Sequence, residues 1–105
     1  MLGDFGAEVI KVERPPYGDP YRYMSRIPAM PTCDLNYCWI LDNRNKKSLA
    51  LDLGEAAGRE ILLKLVRSAD VFITNLQPDS LANLHLAYED LRIVPSRHRS
   101  TQAWA

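Results

Sequence analysis

The stretch from Ser48 to Thr74 constrains this chain more than any other. Ser48-Leu49-Ala50-Leu51-Asp52-Leu53 reads as a strand, and Glu55 to Ala69 as a helix. Ile61, Leu62, Leu65, Val66 and Ala69 recur at spacings of three and four, so they line one helix face. Val71-Phe72-Ile73-Thr74 then reads as another strand. A strand–helix–strand order implies two parallel strands joined by a right-handed crossover. Parallel strands need cover on both faces. The helices legible in 105 residues are too few for that, so the reading expects part of the sheet to come from sequence outside the chain.

The upstream segments fit this frame. Glu8-Val9-Ile10-Lys11-Val12-Glu13 is short, rich in β-branched residues and closed by Pro15-Pro16, which marks a strand. Residues 1–7 resemble the last turn of a helix capped by Gly6, so a natural N-terminus further upstream is expected. Residues 14–33 hold five of the seven prolines and read as one long loop, a length that usually carries function. Asp34 to Leu41 reads as a helical turn with Asp34 as N-cap. Pro78 can open a helix at its first turn, with Leu81 and Leu84 inward, and Tyr88 to Val94 is a last helical stretch. The fold class is α/β: a partial Rossmann-like parallel sheet with flanking helices, without the rest of a large domain or a small one. Residues 1–92 form the partial domain, and residues 93–105 are expected to be a divergent, disordered tail.

Thirteen basic and thirteen acidic side chains cancel. Nucleic-acid and membrane-surface binders carry a basic excess, so neither partner is expected. No apolar run reaches the length of a bilayer span, and Met1 to Gly6 lacks the pattern of a signal peptide. The expected location is the cytoplasm, with Cys33 and Cys38 reduced. Their spacing matches no common zinc pattern, and His85 and His98 are isolated, so no metal is expected. There is no GxGxxG and no phosphate loop ending in Lys-Ser or Lys-Thr.

Three loops follow the three strands: Glu13-Arg14-Pro15, Leu53-Gly54-Glu55 and Asn75-Leu76-Gln77-Pro78. In open α/β sheets ligands bind at that edge. Arg14 follows a strand directly and precedes two prolines. Its guanidinium can grip a phosphate through two parallel hydrogen bonds, or sit in solvent or against a nearby acid. The turn Asp42-Asn43-Arg44-Asn45-Lys46-Lys47 can attract a polyphosphate or remain a solvated turn. Trp39, with Tyr37 and Cys38, reads as core or interface. Asp4, Asp52 and Asp70 lie at element ends, where carboxylates cap or solvate.

Taken together, Met1 to Pro15, Gly18-Asp19-Pro20, Asn43 to Leu53, Ala69 to Asn75 and Tyr88 to Leu91 resemble the N-terminal part of family III CoA-transferases. That family includes the related α-methylacyl-CoA racemase. The resemblance runs over residues 1 to about 92. It implies a large Rossmann-type domain plus a smaller one, two chains interlocked as a homodimer, and coenzyme A as the acyl-CoA substrate. The other partner it implies is a carboxylic acid. By position it implies that Arg14 lies near the CoA nucleotide, that Leu51, Asp52, Leu53 and Gly54 line the adenine pocket, and that Asn75, Leu76 and Gln77 run along the CoA chain.

The sequence departs from the family at several of these places. Gly54 stands where members often carry lysine. Asn75-Leu76-Gln77-Pro78-Asp79 replaces a common Asn-Phe-Arg-Pro-Gly, and Asn83 stands where an arginine often reaches the nucleotide. The resemblance also places the catalytic aspartate beyond Ala105. Nucleophilic carboxylate catalysis needs that side chain against the thioester, so no catalytic residue is assigned and the chain alone is expected to be inactive. The competing reading is a non-catalytic α/β domain that binds a nucleotide-containing ligand or a partner chain.

Overall fold

A computed structural model describes residues 1–92 and 99–102. The chain divides into two compact units, Met1–Asp52 and Leu53–Ala105. The first opens with a 3₁₀ turn, Leu2–Phe5, closed by Gly6 at φ 91°. Gly6 takes the left-handed conformation because it has no Cβ to clash. Strand β1 (Val9–Glu13) pairs in parallel with β2 (Lys46–Ala50), Val9 facing Lys46 and Glu13 facing Ala50. The Leu51 N–H extends this ladder by donating to the Glu13 carbonyl at 2.9 Å. Parallel strands require a crossover; here it holds a 3₁₀ helix, Pro20–Arg26, and helix α1 (Tyr37–Asn43). Cys38 and Leu51 are buried here, and so is the charged Glu13.

The second unit is held differently. Helix α2 (Ala56–Ser68) buries Gly58, Leu62 and Val66, a stripe at spacing four that lies along one side of the helix. Strand β3 (Val71–Thr74) pairs in parallel with β4 (Arg99–Gln102). Helix α3 (Pro78–Asn83) begins on Pro78, and α4 (Tyr88–Arg92) follows. Between them the Leu86 N–H reaches the Leu81 carbonyl at 2.9 Å and the His85 N–H reaches Ala82 at 3.1 Å. His85 sits at φ 55°. This is a Schellman closure with histidine in the usual glycine position, and its apolar contact pairs the residue after His85 with the helix's third-last residue. Leu81 and Leu86, the two residues in question, are 1% and 2% exposed.

The α/β class and the strands at β1, β2 and β3 agree with the sequence reading, and several details correct it. The hydrogen-bonded neighbour of β2 is β1, and that of β3 is β4, so the first parallel pair is not the expected Ser48–Thr74 one. Strand β2 starts two residues early, at Lys46. The long loop contains a 3₁₀ helix because Asp19 accepts from the Tyr21 N–H at 2.8 Å and Pro20 occupies the first turn. The N-cap of α1 is Asn36, whose side chain accepts from the Trp39 N–H at 3.3 Å, and not Asp34. Ile61 stands at the exposed margin of the α2 stripe. Within the expected disordered tail, Arg99–Gln102 is β4; its backbone supplies β3 with the edge partner that a parallel strand needs. His98 and the end of the last predicted helix lie outside the described residues. Among the described residues no helix is long and apolar enough to cross a membrane, and no cluster of histidine, cysteine or carboxylate side chains is placed to hold a metal. Cys33 and Cys38 are unpaired thiols.

Candidate functional site

The C-terminal end of β1 carries the densest polar arrangement in the first unit. Glu13 is the last residue of the strand, and its side chain is 5% exposed. A carboxylate so placed must be satisfied by donors or lose the burial. Arg22 supplies a bidentate fork, Nε to Oε2 at 2.7 Å and Nη2 to Oε1 at 2.9 Å. The Asp19 N–H adds a third bond at 3.0 Å and Ser48 Oγ a fourth at 3.3 Å. The Arg22 hydrogen bonds outweigh burial and hold the Glu13 carboxyl down at about 2, and the same bonds push the Arg22 guanidinium up.

The arrangement extends outward. The Arg22 guanidinium lies 3.8 Å from the centroid of the Trp39 ring, and Lys11 Nζ lies 5.5 Å from it. Lys11 pairs with Asp19 Oδ2 at 2.6 Å. Burial pushes the Asp19 carboxyl up, but the Lys11 bond and the Tyr21 N–H outweigh it, and the net direction is down. Tyr21 donates its hydroxyl to Asp42 at 2.5 Å, and that acceptor carries the phenol up to about 12. Asn36 donates to the Arg22 carbonyl at 2.7 Å. Trp39, expected as core or interface, is a half-buried plate under two cations, a geometry that indole favours over the other aromatic rings.

Arg14 stands immediately outside this network. It is exposed, and its carbonyl accepts from the Gly18 N–H at 2.8 Å. Among the described residues its guanidinium has no hydrogen-bond or ion-pair partner. Leu51, one residue past the end of β2, is buried and Asp52 is half-buried. The ladder bond from Leu51 to Glu13 brings Leu51 beside the start of the Arg14 loop. The other predicted contacts belong to the second unit. The Leu53 and Gly54 carbonyls accept from Arg59 Nη1 at 3.0 and 2.7 Å, which fixes the approach to α2. Asn75, Leu76 and Gln77 are exposed after β3. The Leu76 N–H bonds Thr74 Oγ1 at 3.2 Å, and Gln77 is the N-cap of α3.

The basic turn Asp42–Lys47 is committed to its own chain. Arg44 pairs with Asp4 at 2.8 Å, Lys47 with Glu8 at 3.0 Å, and Lys46 bonds Asn43 at 2.9 Å. Burial raises the Asp4 carboxyl, but Asn45, Arg44 and the N-terminus outweigh it and bring it down. Glu13, Asp19, Arg22 and Lys11 were not singled out by the sequence reading. The available signal was the Asp19-Pro20 pair, a capping residue followed by the residue favoured at a first turn.

A family model described as CoA-transferase family III matches residues 1–97. The chain belongs to this family. It is 37% identical over 97 residues to formyl-CoA:oxalate CoA-transferase of Escherichia coli O81 (strain ED1a), covering 92% of the chain and 23% of that protein. It is 41% identical over 93 residues to (R)-2-hydroxy-4-methylpentanoate CoA-transferase of Clostridioides difficile, covering 88% and 23%. Among solved structures, a CaiB/BaiF family protein of Brucella suis superposes with a TM-score of 0.81 at 33% identity, over 96% of this chain and 27% of that one. The chain thus spans about a quarter of the length of the curated relatives it matches. Glu13, Arg14, Asp19 and Arg22 all fall inside the matched residues.

Proposed function

We propose that this chain forms part of the coenzyme A site of a CoA-transferase family III protein, with Arg14 binding a phosphate of the CoA nucleotide. In this reading Leu51 and Asp52, just past the end of β2 in the same unit, add contacts to the same ligand. The observation that carries it is the contrast between Arg14 and its neighbours. Lys11, Arg22, Arg44 and Lys47 are each paired with a carboxylate and Arg26 lies against the Tyr23 ring, whereas the exposed Arg14 guanidinium at the C-terminal end of β1 has no such partner among the described residues. A planar fork left unpaired at a strand end is matched to a phosphate.

The chemistry the family performs, movement of CoA between an acyl-CoA thioester and a carboxylic acid, is not carried by these residues. The buried carboxylate of Glu13 takes hydrogen bonds from Asp19, Arg22 and Ser48. Lone pairs so engaged, on a group held at about 2, make a poor nucleophile. We therefore expect CoA binding without turnover.

Titration calorimetry with CoA tests the first point. A hydrogen-bonded charge pair contributes about 1.5–3 kcal/mol, so Arg14→Ala is expected to weaken binding roughly tenfold to a hundredfold. Equal affinity of parent and variant removes Arg14 from the site. A CoA-transfer assay over several acyl donors tests the second point, and turnover dependent on a residue of this chain overturns it.

A further inference from the structure

We propose that Glu13 is a positioning residue for Arg14: its carboxylate pins the loop Arg14–Arg26 and so holds the Arg14 backbone at a fixed place at the end of β1. This rests on the reading of Arg14 as a phosphate-binding residue.

Three observations carry it. The loop leaves β1 at Arg14 and returns to the same carboxylate it left, through the Asp19 N–H at 3.0 Å and the Arg22 fork at 2.7 and 2.9 Å. The return passes through Gly18, at φ 71°, where a Cβ would lie 2.7 Å from Glu13 Oε2. Only glycine meets both demands, the left-handed backbone and the close approach. The Gly18 N–H then closes on the Arg14 carbonyl at 2.8 Å. The Arg14 backbone is thus held on one side by the β1 ladder and on the other by the pinned loop. A recognition group fixed in advance loses less freedom on binding than one on a free loop.

The charges follow the same plan. Glu13 takes Arg22 and Asp19 takes Lys11, while Arg22 also lies on Trp39. Without Glu13, Arg22 loses its anion and becomes a second cation a few residues from Arg14. A phosphate would then meet Arg22 as a competing cation, on a loop that no longer holds the Arg14 backbone.

The experiment is a double-mutant cycle on CoA affinity by calorimetry, with Glu13→Gln, Arg14→Ala and the pair. Circular dichroism confirms that each variant is folded. Arg22→Lys, which keeps the charge and loses the fork, is run beside Glu13→Gln in case the latter does not fold. Glu13→Gln is expected to weaken CoA binding roughly fivefold or more, and the double variant to bind no more weakly than Arg14→Ala alone, since contacting and networked residues are non-additive. Amide exchange at Gly18 and Asp19 is expected to accelerate about tenfold relative to Val12, as a locally opened loop requires. A purely structural role gives additive losses in the cycle, and that outcome, or unchanged exchange at Gly18 and Asp19, overturns the positioning role while leaving Arg14 as a ligand. Unaltered CoA affinity in Arg14→Ala, or no CoA binding by the parent, overturns the reading of Arg14 itself and the positioning role with it.

Discussion

The two units solve the same problem with different materials. Met1–Asp52 has three buried residues of note, and one is a glutamate: Cys38, Leu51 and Glu13. Its long crossover closes on carboxylates, with Glu13 gathering Arg22, Asp19 and Ser48, and Asp4 gathering Arg44 and Asn45. Leu53–Ala105 has Leu62, Val66, Leu81, Leu86 and Leu91 buried, and its described ion pairs lie on the surface. A non-directional apolar core fixes how much is buried. A directional polar hub fixes where each atom goes. The unit that bears Arg14 uses the second material.

That contrast can be broken most severely from the apolar side. Leu81 is 1% exposed and also anchors the Schellman closure. Leu81→Ala is expected to cost about 3–4 kcal/mol, the middle of the range for buried leucine truncations. Urea unfolding followed by a probe in the second unit checks it, and a loss below about 1 kcal/mol would show a core loose enough to collapse around the gap.

Acid attacks the other unit. The folded Glu13 carboxyl sits at about 2, below its ordinary 4.5. The unfolded chain therefore takes up the proton first as pH falls. The stabilisation is complete above about pH 4.5 and is lost progressively as pH approaches 2. A shift of this size corresponds to roughly 3 kcal/mol, an upper figure for a group whose arginine partner is partly solvated. Fluorescence of Trp39, which lies under Arg22, is expected to change in that window while secondary structure around α2 persists. Glu13→Gln should abolish the transition.

Smaller effects sharpen the same distinction. Asn36 both caps α1 and donates to the Arg22 carbonyl. Asn36→Ala is expected to cost about 1 kcal/mol, the usual value of a lost N-cap, and to make the Trp39 signal more sensitive to acid. The Glu60–Lys64 pair lies four residues apart on the exposed face of α2 at 2.9 Å. Its removal by Lys64→Ala is expected to change stability by a few tenths of a kcal/mol at most. A larger loss in thermal unfolding would mean that surface charge contributes to the second unit after all.

The sequence showed the second unit more fully than the first. Periodicity marked α2, β-branched content marked β3, and Pro78 marked the start of α3, because each of these signals is local. The β1 and β2 strands were legible for the same reason, but not their pairing, since a ladder between Val9 and Lys46 joins residues far apart in the chain. The pairing of β3 was missed because its partner, Arg99–Gln102, is polar and carries no strand pattern. At the site, Arg14 was found from its place after a strand. Glu13 was not, because nothing about a glutamate at the end of a strand announces four donors gathered from residues 19, 22 and 48. The Asp34 cap lost to Asn36 by two residues, a shift within the ordinary uncertainty of helix ends.

The hub at Glu13 also bears on how such a sequence can drift. Glu13, Gly18 and Arg22 form an epistatic block: any residue with a Cβ at position 18 collides with the carboxylate, and loss of either charged partner leaves the other stranded. Single substitutions inside the block are therefore expected to cost more than the same changes made together. Arg14 leans on the block without closing it, so replacing its side chain leaves the block's own bonds intact. A scaffold arranged in this way can explore new ligands at its tip while its base stays frozen.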